Sequence, residues 1–240
     1  MKRLYEKKED WFAILWIVIY VLSCSVADNI SEAFGLSKWV TFPVLVVMSI
    51  YLYFFVKKNH LEEKYGFCRS RRSLKDAWYY IPLFAVVITK LFVGISVKDP
   101  GTSLRLALSM LCVGFLEELI FRGFLFKAMA KDGMKSAVIV SALTFGAGHI
   151  VNAINGSGQS LAHTMIQIVF AIAFGFCMVL LFLYTGTLWP CVLVHGFYNA
   201  CSAIVNPDSL YILIAQMIVL IVYALYLFRK LKEEGVFQKS

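Results

Sequence analysis

The sequence predicts an all-α, polytopic membrane protein, a bundle of about eight transmembrane helices, and three observations point to this class. Of the 240 residues, 60% are hydrophobic and 16% are charged, whereas soluble domains are nearer half apolar and a quarter charged. The mean hydropathy of +0.74 implies more apolar surface than a soluble globule of this length can bury. Apolar runs of about 20 residues, the length at which a helix crosses a bilayer, recur along the whole chain.

Eight segments are apolar and close to this length, and strand-like alternation is absent from them, so each is expected to be a helix. Tryptophans mark the starts of four segments, as interfacial anchors do. The segments are 11–27, 40–56, 78–97, 104–130, 136–154, 161–183, 188–205 and 210–228. No long linker or internal repeat divides them, so we expect a single domain over 1–240, with its chemical motifs between about 104 and 205.

Basic residues give the expected orientation. Eighteen Lys and Arg residues lie in the N-terminal tail, the connection 57–77, the turn region 127–135 and the C-terminal tail, whereas three lie on the other side: Lys38, Lys98 and Arg105. Because basic loops stay in the cytoplasm, we expect a multi-pass protein of the bacterial plasma membrane with both termini cytoplasmic and the first segment retained. The net charge of +8 has the same origin, so we expect membrane lipids, and no nucleic acid, as partners.

Ionisable residues inside the segments are informative, because a charge at the centre of a spanning helix costs about 2.5–3.5 kcal/mol. Of fifteen acidic residues, only Glu117 and Glu118 fall well inside a segment. Glu118 and Arg122 are four residues apart and share a helix face, whereas Glu117 is rotated by about 100°. We therefore expect a Glu118–Arg122 pair and a Glu117 that faces a cavity. Lys90, near the end of the third segment, is expected to extend to the membrane interface.

Two further motifs place imidazoles inside apolar segments. The fifth segment contains Phe-Gly-Ala-Gly-His, ending at His149, and its glycines are expected to let another helix or a ligand approach closely. The seventh contains His195 and, four residues later on the same face, Asn199. Two carboxylates, one guanidinium, two imidazoles and one amide thus fall inside three segments, which predicts a buried polar centre. Zinc-protease, serine-hydrolase and phosphate-loop motifs are absent from the sequence.

Taken in order, the three motifs resemble the signature motifs of the CPBP family of CaaX prenyl proteases and bacteriocin-processing or immunity (Abi) proteins. They are Glu-Glu-x-x-x-Arg from Glu117, Phe-x-x-x-His from Phe145 and His-x-x-x-Asn from His195. The resemblance implies an intramembrane endopeptidase that cleaves a membrane-associated peptide or protein, of CaaX type or related to bacteriocins, with or without a lipid group. Two alternatives stay open: a non-catalytic immunity or scaffold protein, and a proton-coupled transporter.

The resemblance also implies roles for individual residues. Glu117 and His149 would activate the attacking water, and His195 and Asn199 would stabilise the oxyanion. The supporting residues would be Glu118, Arg122 and Phe145.

Two mechanisms are compatible with this set. Zn²⁺ held by Glu117, His149 and His195 would leave one position for water, and a metal-free reaction would use Glu117 as the general base. The predicted segment ends create one difficulty for both. At 1.5 Å per residue, Glu117 lies about 20 Å and His149 about 8 Å from the same membrane surface, yet both mechanisms require the two side chains to share one site.

Overall fold

The computed structural model describes residues 1–97, 99–153 and 160–238. Lys98 and Lys239, which enter the charge comparison above, lie outside these ranges. The described chain is helical and has no β-strand, so the predicted all-α class is confirmed. Its α-helices, in chain order, are α1 (Lys2–Lys7), α2 (Glu9–Ala33), α3 (Thr41–Lys58), α4 (Ile81–Thr89), α5 (Pro100–Glu118), α6 (Phe126–Met129), α7 (Met134–Gly148), α8 (Leu161–Thr185), α9 (Trp189–Cys201) and α10 (Leu210–Glu233).

Helical segments of other types extend or join several of these helices. The 3-10 segments cover Leu74–Tyr80, Lys90–Val93 and His149–Ala153. A π-helical segment covers Leu119–Leu125 and joins α5 to α6. The fourth predicted segment is therefore one continuous helix, which changes from α-helical to π-helical geometry directly after the two glutamates.

Each of the eight predicted segments contains a helix, but they differ in length. Five helices of the described chain are long and apolar enough to cross a membrane: α2, α3, α8, α10 and α7 with its extension to Ala153. The third predicted segment is a shorter apolar stretch over Trp78–Val93, and α9 has 13 residues. The predicted count of about eight spans is therefore approximate, and the protein is an integral, multi-pass membrane protein.

Side-chain caps and one glycine fix several helix ends. Asp99, Ser160 and Ser209 each accept a hydrogen bond from a backbone N–H in the first turn of α5, α8 and α10, respectively. These caps satisfy donors that a helix leaves unpaired at its start. Gly186 ends α8 with a φ of 73°, a left-handed conformation that glycine adopts without strain.

Contacts between distant parts of the chain show that both termini lie at one end of the bundle, named here the terminus end. Tyr5 packs edge to face against Phe55 and Tyr65, with ring centroids 5.8 and 6.5 Å apart. Arg72, in the connection between α3 and α4, donates to both carboxylate oxygens of Glu234 near the C-terminus. The N-terminal helix, this connection and the end of α10 are thus neighbours.

The opposite end is held together by links between connections. Lys38 donates to both carboxylate oxygens of Asp28 at 2.7 Å, which ties the connection after α2 back to that helix. An isolated antiparallel bridge pairs Ile95 with Val205. This bridge joins the connection that precedes α5 to the one that precedes α10.

Lys90 corrects one prediction. Its side chain does not extend to the interface but is buried, where it pairs with Asp208 and donates to Ser202 at 3.3 Å. The ammonium also lies 4.4 Å from the ring centroid of Tyr198, a distance at which cation–π attraction operates. Asp208, in the connection before α10, supplies the opposite charge. Without such a partner, burial of the ammonium would be strongly unfavourable.

Because both termini lie at the same end of the bundle, the predicted orientation in the membrane can be tested. Reporters fused to the N-terminus, to the C-terminus and within the connection 59–73 should all report a cytoplasmic location, whereas a reporter inserted in the connection 202–209 should report the opposite side. The expected pattern follows from the basic residues at the terminus end, which resist transfer across the membrane. A C-terminal reporter on the external side would contradict this orientation.

Candidate functional site

A cavity of about 530 Å³ lies in the half of the bundle away from the termini. Its wall comes mainly from α2, α5, α7, α8 and α9. The cavity brings together the four predicted catalytic residues and one predicted supporting residue: Glu117, His149, His195, Asn199 and Phe145. The predicted segment ends place Glu117 and His149 at different depths in the membrane. One cavity extends over both depths, and both side chains line it.

Two glycines set the spacing between the carboxylates and His195. Gly114 of α5 faces Gly196 of α9 so closely that a Cβ on Gly114 would lie 2.6 Å from the Gly196 backbone. Small residues allow membrane helices to approach to this distance. Glu118 lies one turn beyond Gly114, and His195 directly precedes Gly196, so the glycine contact carries Glu118 to within hydrogen-bonding distance of the imidazole.

The π-helical segment follows the glutamates and contains Arg122. All seven of its residues are buried, and π-helical turns occur frequently at functional sites. Ser141 of α7 donates to the carbonyl oxygen of Phe121 in this segment at 2.9 Å. The change in winding is thus supported by a hydrogen bond from the neighbouring helix.

Glu118 and Arg122 form the predicted pair. Both side chains are 0% exposed, with 3.2 Å between Arg122 Nη1 and Glu118 Oε1. The same carboxylate oxygen accepts a hydrogen bond of 2.7 Å from His195 Nδ1. The guanidinium also lies 4.1 Å from the ring centroid of Phe145. Glu118 therefore has two partners, and Phe145 supports Arg122 through its ring.

Glu117 faces the cavity, and its two oxygens have different neighbours. Its side chain is 13% exposed, in contrast to the fully buried Glu118. Oε1 accepts a 2.8 Å hydrogen bond from the hydroxyl of Tyr20 in α2. Oε2 lies 3.5 Å from His195 Nε2. The imidazole of His195 thus stands between the two carboxylates, with one ring nitrogen toward each.

His149 occupies a different part of the cavity wall. Its Nδ1 lies 3.1 Å from the carbonyl oxygen of Phe145. A carbonyl oxygen can only accept, so Nδ1 carries the proton in this hydrogen bond, and Nε2 of the neutral ring is an acceptor. Within the described residues, the ion pairs of Glu117 and Glu118 involve His195 and not His149. Asn199 lines the cavity one turn beyond His195.

The two glycines of the fifth segment behave differently. A Cβ on Gly146 would lie 2.3 Å from Cγ1 of Ile172, so this glycine permits close packing of α7 on α8. Nothing lies within 4 Å of the corresponding position on Gly148, which lines the cavity. The close approach of α8 thus accounts for Gly146, whereas Gly148 leaves space beside His149.

The proposed zinc ligands do not fit a metal ion in this arrangement. Among the described residues, no three His, Cys, Asp or Glu side chains converge as a metal site requires. No catalytic step is therefore derived through a metal.

Sequence reasoning missed Tyr20, although a signal for it exists. Tyr20, Cys24 and Asp28 recur every four residues along α2, and all three line the cavity. Polar or ionisable side chains at this spacing share one helix face, so the first segment contains a polar stripe within an otherwise apolar run. The Lys90–Asp208 pair, which also lines the cavity, had no such signal because Lys90 lies in the 3-10 segment after α4 and Asp208 lies in the connection before α10.

These features define a class of protein: a helical membrane protein with a carboxylate–imidazole–guanidinium centre at the base of a cavity. Residues 99–201, a little under half of the chain, match the family model described as Type II CAAX prenyl endopeptidase Rce1-like. The resemblance of the three motifs to the CPBP family is thereby confirmed, since all three motifs lie within the matched residues. Neither the curated proteins nor the solved structures give a significant match to the chain.

The burial of the Glu118–Arg122 pair leads to a stability prediction. Arg122→Ala leaves a carboxylate without its guanidinium, and breaking a buried pair costs about 3–5 kcal/mol in protein interiors. We expect a clearly lower melting temperature in detergent, and Arg122→Lys should also melt early because an ammonium lacks the planar face that the guanidinium places 4.1 Å from the Phe145 ring centroid. The double variant Glu118→Gln with Arg122→Gln should recover part of the melting temperature, since no unpaired charge remains.

Arg229 and Glu233 provide a matched control with the same four-residue spacing. Their side chains are 81% and 49% exposed, so Arg229→Ala should change stability by less than about 1 kcal/mol. If Arg122→Ala melts like Arg229→Ala, the buried pair does not stabilise the fold.

Proposed function

We propose that the protein is an intramembrane endopeptidase that hydrolyses a peptide bond of a membrane-associated substrate through a water activated by glutamate. The observation that carries this proposal is the different placement of two adjacent glutamates. Glu118 is buried against Arg122 and His195, whereas Glu117 faces the cavity. One carboxylate can therefore orient the site while the other reacts.

The proposed reaction uses both ring nitrogens of His195 as donors. Nδ1 donates to Glu118 at 2.7 Å, and Nε2 faces Glu117 and the cavity.

The reaction proposed uses these groups in sequence. Glu117 accepts a proton from water while the water oxygen bonds to the carbonyl carbon of the scissile peptide. His195 Nε2 and the Asn199 amide donate to the carbonyl oxygen as it becomes an oxyanion. His149 Nε2 accepts a hydrogen bond from the second O–H of the water and thereby orients the water molecule. When the C–N bond breaks, the proton held by Glu117 passes to the leaving amine, which restores the carboxylate.

The polar groups are less suited to the alternative of a proton-coupled transporter. A proton path needs polar groups on both sides of the glutamates. Directly beyond the Glu118–Arg122 pair, toward the terminus end, the helix continues with Gly123 and then the buried, apolar Phe124, Leu125 and Phe126 before it reaches Lys127. A cavity that reaches a reactive carboxylate from one side favours hydrolysis.

Purified protein in detergent tests the proposal with a peptide that ends in a CaaX sequence, supplied with and without a prenyl group. Glu117→Ala, His149→Ala and His195→Ala should abolish cleavage, and Asn199→Ala should lower the rate by about 10²–10³, as expected for one oxyanion donor. The control Glu32→Gln changes an exposed carboxylate and should cleave normally. Full activity of Glu117→Ala would rule out the mechanism.

A chelator arm separates the two mechanisms. Activity that persists in chelator supports the metal-free reaction, and activity lost in chelator and restored by Zn²⁺ would replace it with a metal-dependent one.

Tyr20 is expected to position Glu117. Tyr20→Phe removes only the hydroxyl that donates to Glu117 Oε1, so kcat should fall about tenfold, the scale of one hydrogen bond to a charged group, while KM stays unchanged. The matched control is Tyr223→Phe, because the buried Tyr223 hydroxyl has no hydrogen-bond partner within the described chain. Equal losses in both variants, or a change in KM alone, would contradict this role.

A further inference from the structure

We infer that water and substrate enter the cavity from the face of the membrane opposite the termini, which is the extracytoplasmic face. The substrate class is then an exported, membrane-tethered peptide, and not the cytoplasmic tail of a protein. The substrate part of this inference rests on the proposed function. Four observations support it: where the cavity wall lies, how exposure varies along it, what closes the other end, and where the basic residues are.

The cavity wall is confined to one half of the bundle. α2 lines it from Tyr20 onward, in the half of the helix away from the N-terminus, and α3 lines it only near its start, at Thr41 and Leu45. α9 lines it from His195 onward. α10 contributes Leu213, one turn from the beginning of that helix. Successive helices run in opposite directions, so these positions all lie away from the terminus end.

Exposure along the wall distinguishes an open rim from a closed floor. His163, Ser202 and Pro207 line the cavity and are exposed. The lining rings of Phe121, Phe145 and Phe174 are buried. The first group lies at the starts or ends of helices opposite the termini, whereas the second lies toward the bundle centre. The cavity thus opens away from the termini and closes toward them.

Aromatic packing closes the terminus end. Phe124, one turn beyond the floor residue Phe121, packs edge to face on Phe12 and Tyr65, with ring centroids 5.1 and 4.9 Å apart. Phe12 stacks on Phe55 at 5.1 Å. Close-packed rings of this kind leave no passage for water. A hydrated peptide backbone therefore has no route to Glu117 from this end.

The distribution of charge assigns the closed end to the cytoplasm. The basic residues of the tails, of the 57–77 connection and of the 127–135 turn surround the aromatic packing, whereas Lys38 at the open end is paired with Asp28. Basic loops are retained on the cytoplasmic side. The open rim therefore faces the other side, where exported peptides are presented.

Two native cysteines provide a direct test of access. Cys24 lines the cavity beside Glu117, whereas Cys68 lies at the terminus end, where its thiol donates to the carbonyl of Gly186; both are half-buried. One variant keeps Cys24, and another keeps Cys68, as its only partly exposed cysteine. The remaining partly exposed cysteines are changed to Ser in each variant. The buried Cys177 and Cys191 stay in place to protect folding.

A small, charged, membrane-impermeant thiosulfonate is then applied to intact cells, and the labelled residues are mapped by mass spectrometry. We expect at least fivefold more labelling of Cys24 than of Cys68 in intact cells, and labelling of Cys68 after permeabilisation. Labelling of Cys24 only after permeabilisation would overturn the inference.

A second measurement links access to cleavage. Vesicles containing the full-length protein are separated by affinity for a C-terminal tag, and the CaaX peptide is added outside. Vesicles with the tag inside should cleave the peptide, and vesicles with the tag outside should cleave it only after detergent is added. Cleavage by intact tag-outside vesicles would overturn the inference, whereas labelled Cys24 without cleavage even in detergent would refute the proposed function alone.

Discussion

The arrangement of the site depends on how closely α5 and α9 approach. Ionised carboxylates are tolerated inside a membrane bundle only where opposite charges or hydrogen-bond donors lie next to them. The contact between Gly114 and Gly196 brings His195 against Glu118, and a side chain on Gly114 would separate the helices because no space exists for its Cβ. With the helices apart, Glu118 would keep Arg122 but lose the 2.7 Å hydrogen bond from the imidazole. The chemistry is therefore a consequence of backbone contact between two glycines.

Helical rotation then gives the two glutamates different functions. Adjacent residues on a helix point about 100° apart, so Glu118 points into the protein when Glu117 points into the cavity. His195 contacts both, and it thereby couples the buried carboxylate to the exposed one. Arg122 balances the buried charge from the π-helical segment, with Phe145 beneath its guanidinium. Phe145 also contacts the rings of His149 and His195, so one aromatic side chain of α7 orders three polar groups.

The sequence predicted what depends on local patterns. Apolar segments of bilayer length gave the helices, and the four-residue spacing of Glu118 and Arg122 gave the ion pair. It did not predict contacts that depend on how helices are arranged: Tyr20 reaches Glu117 from a helix 97 residues away, and Lys90 meets Asp208 across two connections. The π-helical winding after Glu118 has no local propensity signal either, because it is stabilised by Ser141 on another helix. Span boundaries alone likewise left open whether His149 and Glu117 could line one cavity, because they do not give the tilt and stagger of the helices.

The family match covers the polar centre but only part of the cavity wall. Residues 99–201 contain both glutamates, Arg122 and both histidines of the centre, so similarity to CAAX-type proteases concerns the chemistry. The polar stripe of α2, the Lys38–Asp28 pair and the Lys90–Asp208 pair contribute to the wall around that centre, and all of these residues lie outside the matched region. Substrate contacts made by such residues are free to differ from those of the proteins that match at the centre. The reaction proposed for the centre is therefore compatible with the exported substrate that we infer from the cavity wall.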